Sequence, residues 1–139
     1  MKFMHISDMH LGVKPDAGKA WSEKRAQDIW DSFAEVIEIA AEESPDFLLI
    51  SGDLFHKQPL KRELNEVCGL FARIPQTKVL LMAGNHDYIQ QNSFYRTCEW
   101  PENVCFFPRE EVMCFDFPEQ NTTVYGLSYW HREIRQALY

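Results

Sequence analysis

The sequence predicts an α/β protein, a layered fold with a β-α-β-α-β start and a β-rich segment after it. Two continuous apolar runs, Phe47 to Ile50 and Val79 to Met82, are too short for helices and too unbroken for half-exposed strands, as in a parallel sheet covered on both faces. The stretches between the runs carry helical periodicity. After His86 the texture changes to short β-rich runs.

Lys2 to Ser7 is the first strand candidate, followed by a loop from Gly12 to Lys19 that contains Gly, Pro and Lys. From Trp21 to Glu43, residues Ala26, Ile29, Trp30, Phe33, Val36, Ile37 and Ala40 recur at three- and four-residue steps, which places them on one face of a long amphipathic helix. Pro45 stops it, because the residue before a proline is pushed out of the helical region. Phe47 to Ile50 is the second strand. Leu64, Val67, Cys68 and Phe71 mark a second helix within Leu60 to Ile74, and Val79 to Met82 is the third strand. Right-handed crossovers then bring all three strand ends to one edge of the sheet, the edge where open α/β sheets place their sites.

Val104 to Phe107, Val112 to Phe117 and Thr122 to Leu127 are expected to form a meander or a second sheet layer. Tyr129 to Tyr139 has helical composition and no stop signal, so a helix is expected there, running on past a truncated end. No linker, repeat or low-complexity tract interrupts the chain, and residues 1–139 are read as a single domain.

At 139 residues, with 45% hydrophobic and 25% charged residues, the chain has enough apolar material for a core and is not of disordered composition. It has neither a cationic and apolar leader nor a stretch of ~20 apolar residues, so a soluble, cytoplasmic protein with no membrane association is expected. The net charge of −7 argues against a generally basic surface for nucleic acid. Bound divalent cations can reverse that field locally. The four cysteines show neither Cys-x-x-Cys pairing nor zinc-type spacing, and they read as buried reduced thiols.

The chemistry sits in three islands at the strand ends: Asp8-x-His10, Gly52-Asp53 and Gly84-Asn85-His86-Asp87. Carboxylates, imidazoles and an amide are hard or borderline ligands suited to Mn, Fe, Zn or Mg. Asp8 and His10 can turn toward one ion, Asp53 has two oxygens with which to bridge two, and Asn85 offers a neutral oxygen to the second. His86 is left free to protonate a leaving alkoxide or to stabilise charge on phosphate oxygens. Asp87 either orients His86 or serves as a turn or cap. Each island alone reads as an ordinary turn or surface histidine; their joint occurrence at three successive strand ends is far harder to obtain by chance.

Ser7-Asp8-Met9-His10-Leu11-Gly12, Gly52-Asp53-Leu54-Phe55-His56 and Gly84-Asn85-His86-Asp87 resemble, in order and spacing, the first three motifs of the calcineurin-like metallophosphoesterases. Within that superfamily they look most like the SbcD-type DNA repair nucleases, and the resemblance covers residues 1–90. It implies a metallophosphoesterase-like fold and two divalent metal ions, manganese above all. Asp8 and His10 would bind the first, Asp53 would bridge, and Asn85 would bind the second. His86 would be catalytic and His56 close to the substrate, although a structural role for His56 stays open. It further implies cleavage of DNA phosphodiesters, an SbcC-type ATPase partner and a possible homodimer.

One departure from the family pattern is as informative as the match. Members carry further metal-binding histidines downstream, one isolated and two in Gly-His-x-His, and these are absent; only His131 remains, in an Arg-flanked segment. Four ligands cannot saturate two ions that each take about four to six donors. The expectation is therefore an N-terminal fragment of a nuclease that holds metal weakly and is inactive alone. Two other readings stand beside it: a phosphoesterase for a small phosphodiester or phosphomonoester, and a non-catalytic domain for dimerisation or partner binding. Lys14, Lys19, Lys57, Lys61 and Arg62 fall in or just after the loops on the site edge, as phosphate contacts or as ordinary solvated surface.

Overall fold

The computed structural model describes residues 1–138. The sheet has four strands, β1 (Phe3–Ile6), β2 (Phe47–Ser51), β3 (Lys78–Met82) and β4 (Val104–Phe107), in the order β1-β2-β3-β4. Every neighbouring pair is parallel, with Phe3 opposite Phe47, Phe47 opposite Lys78 and Val79 opposite Val104. Helix α1 (Ser22–Glu43) joins β1 to β2, and α2 (Lys61–Phe71) joins β2 to β3.

Alternation along the strands builds three layers. Leu48, Ile50, Val79 and Leu81 point to one face, where Phe33, Ile37 and Ala40 of α1 and Leu64, Val67 and Phe71 of α2 cover them. Phe33 and Phe71 meet edge to face with ring centroids 6.1 Å apart, which fixes the two helices against each other. Phe47, Leu80 and Phe107 point to the other face, against Met113, Phe115, Phe117 and Val124. Those residues belong to an antiparallel hairpin of β5 (Met113–Phe117) and β6 (Thr122–Gly126), turned at Asn121 with φ 49°.

Local chemistry ends each helix, α1 where the sequence predicts and α2 three residues earlier. The Ser44 N–H bonds back to the Ala40 carbonyl at 3.0 Å, with Ser44 left-handed at φ 45° before Pro45. At the start of α2 the Glu63 carboxylate accepts the Leu60 N–H at 2.8 Å. That helix stops at Phe71, short of Ile74, because the Ile74 N–H tightens onto the Phe71 carbonyl at 3.1 Å ahead of Pro75. Buried Asn103 donates to the carbonyls of Phe71, Ile74 and Thr77 at 3.0, 2.9 and 3.2 Å, tying this helix end to the start of β4.

Two expectations are corrected. The run Val104 to Phe107 does not join a meander but is the fourth parallel strand, since Val104 and Phe106 pack toward the helices while Cys105 and Phe107 pack toward the hairpin. Only the two later runs form the second sheet. The segment from Tyr129 to Leu138 is not helical, and the part of that expectation reaching Tyr139 lies outside the described residues. Its backbone is taken by tertiary partners: the Tyr129 N–H bonds the Ala83 carbonyl at 3.1 Å, the Tyr129 carbonyl accepts the Ile89 N–H at 2.8 Å, and the Trp130 N–H bonds Glu110 at 3.0 Å. Packing overrides propensity here. Among the described residues no helix is long and apolar enough to cross a membrane.

Candidate metal centre

The loops that leave β1 and β2 stay paired beyond the strands. The Asp8 N–H reaches the Gly52 carbonyl at 3.2 Å, His10 reaches Asp53 at 3.0 Å, Leu11 reaches Leu54 at 2.8 Å, and the His56 N–H returns to Leu11 at 3.0 Å. Within this ladder Asp8, His10 and Asp53 are left-handed, with φ 56°, 50° and 50°. Such residues cost about 1 kcal/mol or more each, and they persist only where surrounding structure enforces them. The turned backbone brings side chains from both loops to one place.

Donor atoms of Asp8, His10 and Asp53 all lie within 4.8 Å of one another, and so do those of His10, His56 and His86. His10 belongs to both groups. Its ring centroid stands 4.8 Å from that of His86 and 5.3 Å from that of His56, and Asp8 Oδ1 is 4.0 Å from His10 Nε2. Thus the first island, Asp53 and two further histidines converge. Asn85 is exposed and sits between buried Gly84 and half-buried His86 in the third loop, after β3.

Asp53 is held firmly. Only 6% exposed, it accepts the His86 backbone N–H on Oδ1 at 2.8 Å, so the second loop positions the third. Glycine is required at 84, because a Cβ there would lie 2.3 Å from Asp53 Oδ1 and 2.5 Å from its backbone nitrogen. Gly52, at φ +95°, meets the same loop from the other side, with Gly84 Cα 2.9 Å from where its Cβ would be.

His86 Nδ1 lies 3.2 Å from the His56 carbonyl. A carbonyl can only accept, so Nδ1 carries the hydrogen and Nε2 is the nitrogen left for another group. His56 is exposed, with Nδ1 3.4 Å from Nδ1 of His10. Its imidazole is pushed below its ordinary range, first by desolvation and then by His10, His86 and Lys57, with Asp53 opposing. For His56 this favours the neutral ring, the form in which an imidazole binds metal.

Asp87 is fully buried, and its carboxylate accepts from the Gly84 N–H at 2.7 Å, the Phe55 N–H at 3.1 Å and the Tyr95 hydroxyl at 2.7 Å. Its hydrogen bonds thus go to the frame of two loops and not to the His86 ring. Burial raises its carboxyl above the usual range, against the lowering by these three donors. Tyr95 was not singled out from sequence. Nothing local marks it, and its role comes from a stack with Phe106 and Trp100, ring centroids 5.2 and 6.1 Å away, that delivers the hydroxyl to Asp87.

The remaining candidates are not among the grouped donors. His131 is exposed and pairs with Glu110 at 3.0 Å. Lys14 pairs with Glu23 at 2.9 Å; Lys19, Lys57, Lys61 and Arg62 are exposed, and among the described residues none forms an ion pair. The cysteines are less buried than expected: Cys68, Cys98 and Cys105 are half-buried and Cys114 is exposed.

The chain is 36% identical over 89 residues to the DNA double-strand break repair protein Mre11 of Aeropyrum pernix, covering 62% of this chain and 21% of that one. To the Mre11 of Archaeoglobus fulgidus it is 38% identical over 90 residues, 63% of this chain and 19% of the relative. An uncharacterized metallophosphoesterase of Bacillus subtilis, YhaO, is 27% identical over 154 residues, covering 98% of this chain and 35% of the relative. The chain thus spans about a fifth of the length of these Mre11 proteins and about a third of YhaO. The family model of calcineurin-like phosphoesterases matches residues 1–134, and the chain belongs to that family.

Proposed function

We propose that this chain is the N-terminal part of a metal-dependent phosphodiesterase acting on DNA, of the SbcD and Mre11 type. The observation that carries the reading is the pair of donor clusters joined through His10 at the C-terminal edge of a parallel sheet. The named Mre11 relatives are DNA double-strand break repair proteins, which favours DNA over a small phosphodiester. In this reading the whole protein is a cytoplasmic nuclease, works with an SbcC-type ATPase and forms a homodimer, and residues 1–139 lie in one domain.

The donors fit divalent manganese: two carboxylates, an imidazole and an amide, with no thiol among them. Asp8, His10 and Asp53 would hold the first ion, and Asp53 and Asn85 the second. When bound, such ions stabilise charge on phosphate oxygens and lower the pKa of a water near phosphorus. His86, oriented by the His56 carbonyl, presents Nε2 toward the substrate and, when protonated there, donates to the leaving oxygen. His56 lies beside it on the exposed rim, placed to contact a phosphate or sugar. Asp87 acts through the backbone, fixing Gly84 and Phe55 so that His86 and Asp53 keep their spacing.

Four donors fall short of two full coordination shells, about four to six each. In this proposal a longer chain supplies further histidines, and the 139-residue chain binds metal weakly. Manganese titration by calorimetry of the 139-residue chain beside a longer one tests this; tight binding of two ions by the shorter would refute it. Assay of the longer chain on single- and double-stranded DNA, phosphorylated peptides and cyclic nucleotides tests the substrate. Loss of DNA cleavage in His86→Ala with metal binding retained is the expected result, while no turnover of any of them by the unaltered chain would favour a non-catalytic domain.

A further inference from the structure

Cys68 lies in α2 and Cys98 follows a short helical turn at Phe94–Arg96, so the two are distant in sequence and belong to different elements. Their sulfurs are nevertheless 3.6 Å apart, in S–H···S contact. Both are half-buried and line an open cavity of about 450 Å³, whose wall also includes Lys61, Asn65, Phe94 and Glu99. Neither sulfur belongs to the donor clusters of the metal centre. The other thiols are placed differently: Cys105 faces the hairpin layer, and Cys114 is exposed on β5.

We propose that Cys68 and Cys98 are a thiol–disulfide exchange site that forms a reversible intramolecular disulfide. The oxidant is a small-molecule disulfide of the glutathione class, which the cavity admits to the sulfurs. The thiolate of one cysteine attacks a sulfur of the oxidant; a protein–glutathione disulfide forms and one glutathione leaves as thiolate. The second cysteine loses its proton to the medium and attacks the protein-side sulfur, forming the Cys68–Cys98 bond and releasing a second glutathione. Two protein thiols are oxidised, one small disulfide is reduced to two thiols, and the departing thiolates take up the two protons.

Geometry favours the second step. A disulfide needs its sulfurs at ~2.05 Å, a short approach from their present contact for two partly exposed side chains. Burial pushes both thiols up, Cys98 to about 12 with Cys68 adding to the effect, so first capture is slow. Closure after capture is intramolecular, with the partner already in contact. The ring so closed contains β3 and the loop Gly84 to Asp87, and Tyr95, just before Cys98, bonds Asp87. Oxidation therefore fastens to α2 the segment that buttresses the candidate metal centre.

The test is incubation of Cys114→Ser protein over a series of oxidised-to-reduced glutathione ratios, followed by alkylation, peptide mapping and thermal melting. Expected are a Cys68–Cys98 linked peptide lacking two hydrogens, a yield unaffected by dilution of the protein, and a melting temperature raised by ~5–15 °C that returns on reduction. Cys68→Ala and Cys98→Ala, examined separately, should each abolish the rise while remaining folded by circular dichroism. Alkylation of both cysteines at every ratio would overturn the proposal, as would a lasting glutathione adduct on either one with no linked peptide, or a linkage found only between molecules.

Discussion

Removing the Asp87 carboxylate asks whether it is the girder of the site. Asp87→Ala leaves three buried donors, the N–H groups of Gly84 and Phe55 and the hydroxyl of Tyr95, without their acceptor. At ~1–2 kcal/mol for each orphaned group, and with relief from burying the carboxylate itself, the net cost is ~3–5 kcal/mol, a large share of a typical domain's ~5–15 kcal/mol. Tyr95→Phe keeps the rings at 5.2 Å from Phe106 and 6.0 Å from Phe55 and removes the hydroxyl alone, for ~1–2 kcal/mol. In the Asp87→Ala background the same change should cost nothing, since the hydroxyl then has no acceptor, giving a coupling of ~1–2 kcal/mol. Urea unfolding of the chelator-treated chain, followed by tryptophan fluorescence, measures all four corners of the cycle. A second readout is pH. Burial raises this carboxyl above 3.8, so in that window the folded chain keeps a proton that the unfolded chain releases. The associated stability is complete below the window and is lost as pH rises through it; Asp87→Ala should lack that slope. Additive single-mutant effects, or an Asp87→Ala cost below ~1 kcal/mol, would refute the assignment.

Gly84→Ala drives a methyl to 2.3 Å from Asp53 Oδ1, and calorimetry should show manganese affinity falling ~10–100-fold with less loss of fold than of binding. Cys98, raised from 9.0 to about 12, contributes stability that is complete below the lower value and fades as pH climbs to the upper one; Cys98→Ala should flatten the alkaline limb of urea midpoints measured against pH. Replacing Lys57 and Lys61 by Ala in a longer, DNA-binding form should reduce the slope of log affinity against log salt by about one for each phosphate contact removed, whereas an unchanged slope retires both as contacts.

What the sequence made legible were features governed by local periodicity or by backbone necessity. Phe33, Ile37 and Ala40 recur at helical steps and are the buried face of α1, and the unbroken run at 47–50 is a strand covered on both sides. The convergence of the first two islands follows from parallel strands ending on one edge. The last part of the chain was legible only as β-rich. Val104 to Phe107 fits an added parallel strand as well as a meander, and the choice is made by Asn103, whose three bonds to the end of α2 dock it beside β3. The segment from Tyr129 has helix-forming residues, but Ala83 and Ile89 claim its backbone, and such partners leave no mark in a local window. The Cys68–Cys98 contact is equally invisible in spacing, because it depends on how the segment after Ile89 returns across α2.

The centre is costly for the apoprotein in two ways, and both point to a cation. Asp8, His10 and Asp53 hold left-handed backbone, where L-residues are disfavoured, and the ladder to Gly52, Asp53 and Leu54 keeps them there. That arrangement sets two carboxylates with donor oxygens inside 4.8 Å. At about 4 Å, like charges repel by about 1 kcal/mol in water and about 4 kcal/mol at the effective dielectric of a protein surface. Most of the sheet edge could have been closed by apolar side chains, as the rest of the core is. Instead the fold enforces a conformation that concentrates negative charge, seats Asp53 against the His86 N–H, and leaves glycine at 52 and 84 so that the loops can touch. A divalent cation turns the carboxylate repulsion into attraction and lets a ligand that binds only the folded form stabilise the strained loops by mass action. In the proposed function the strain and the charge are therefore one feature: a backbone that would hold its donors in place before an ion arrives, so that little ordering would remain to oppose binding.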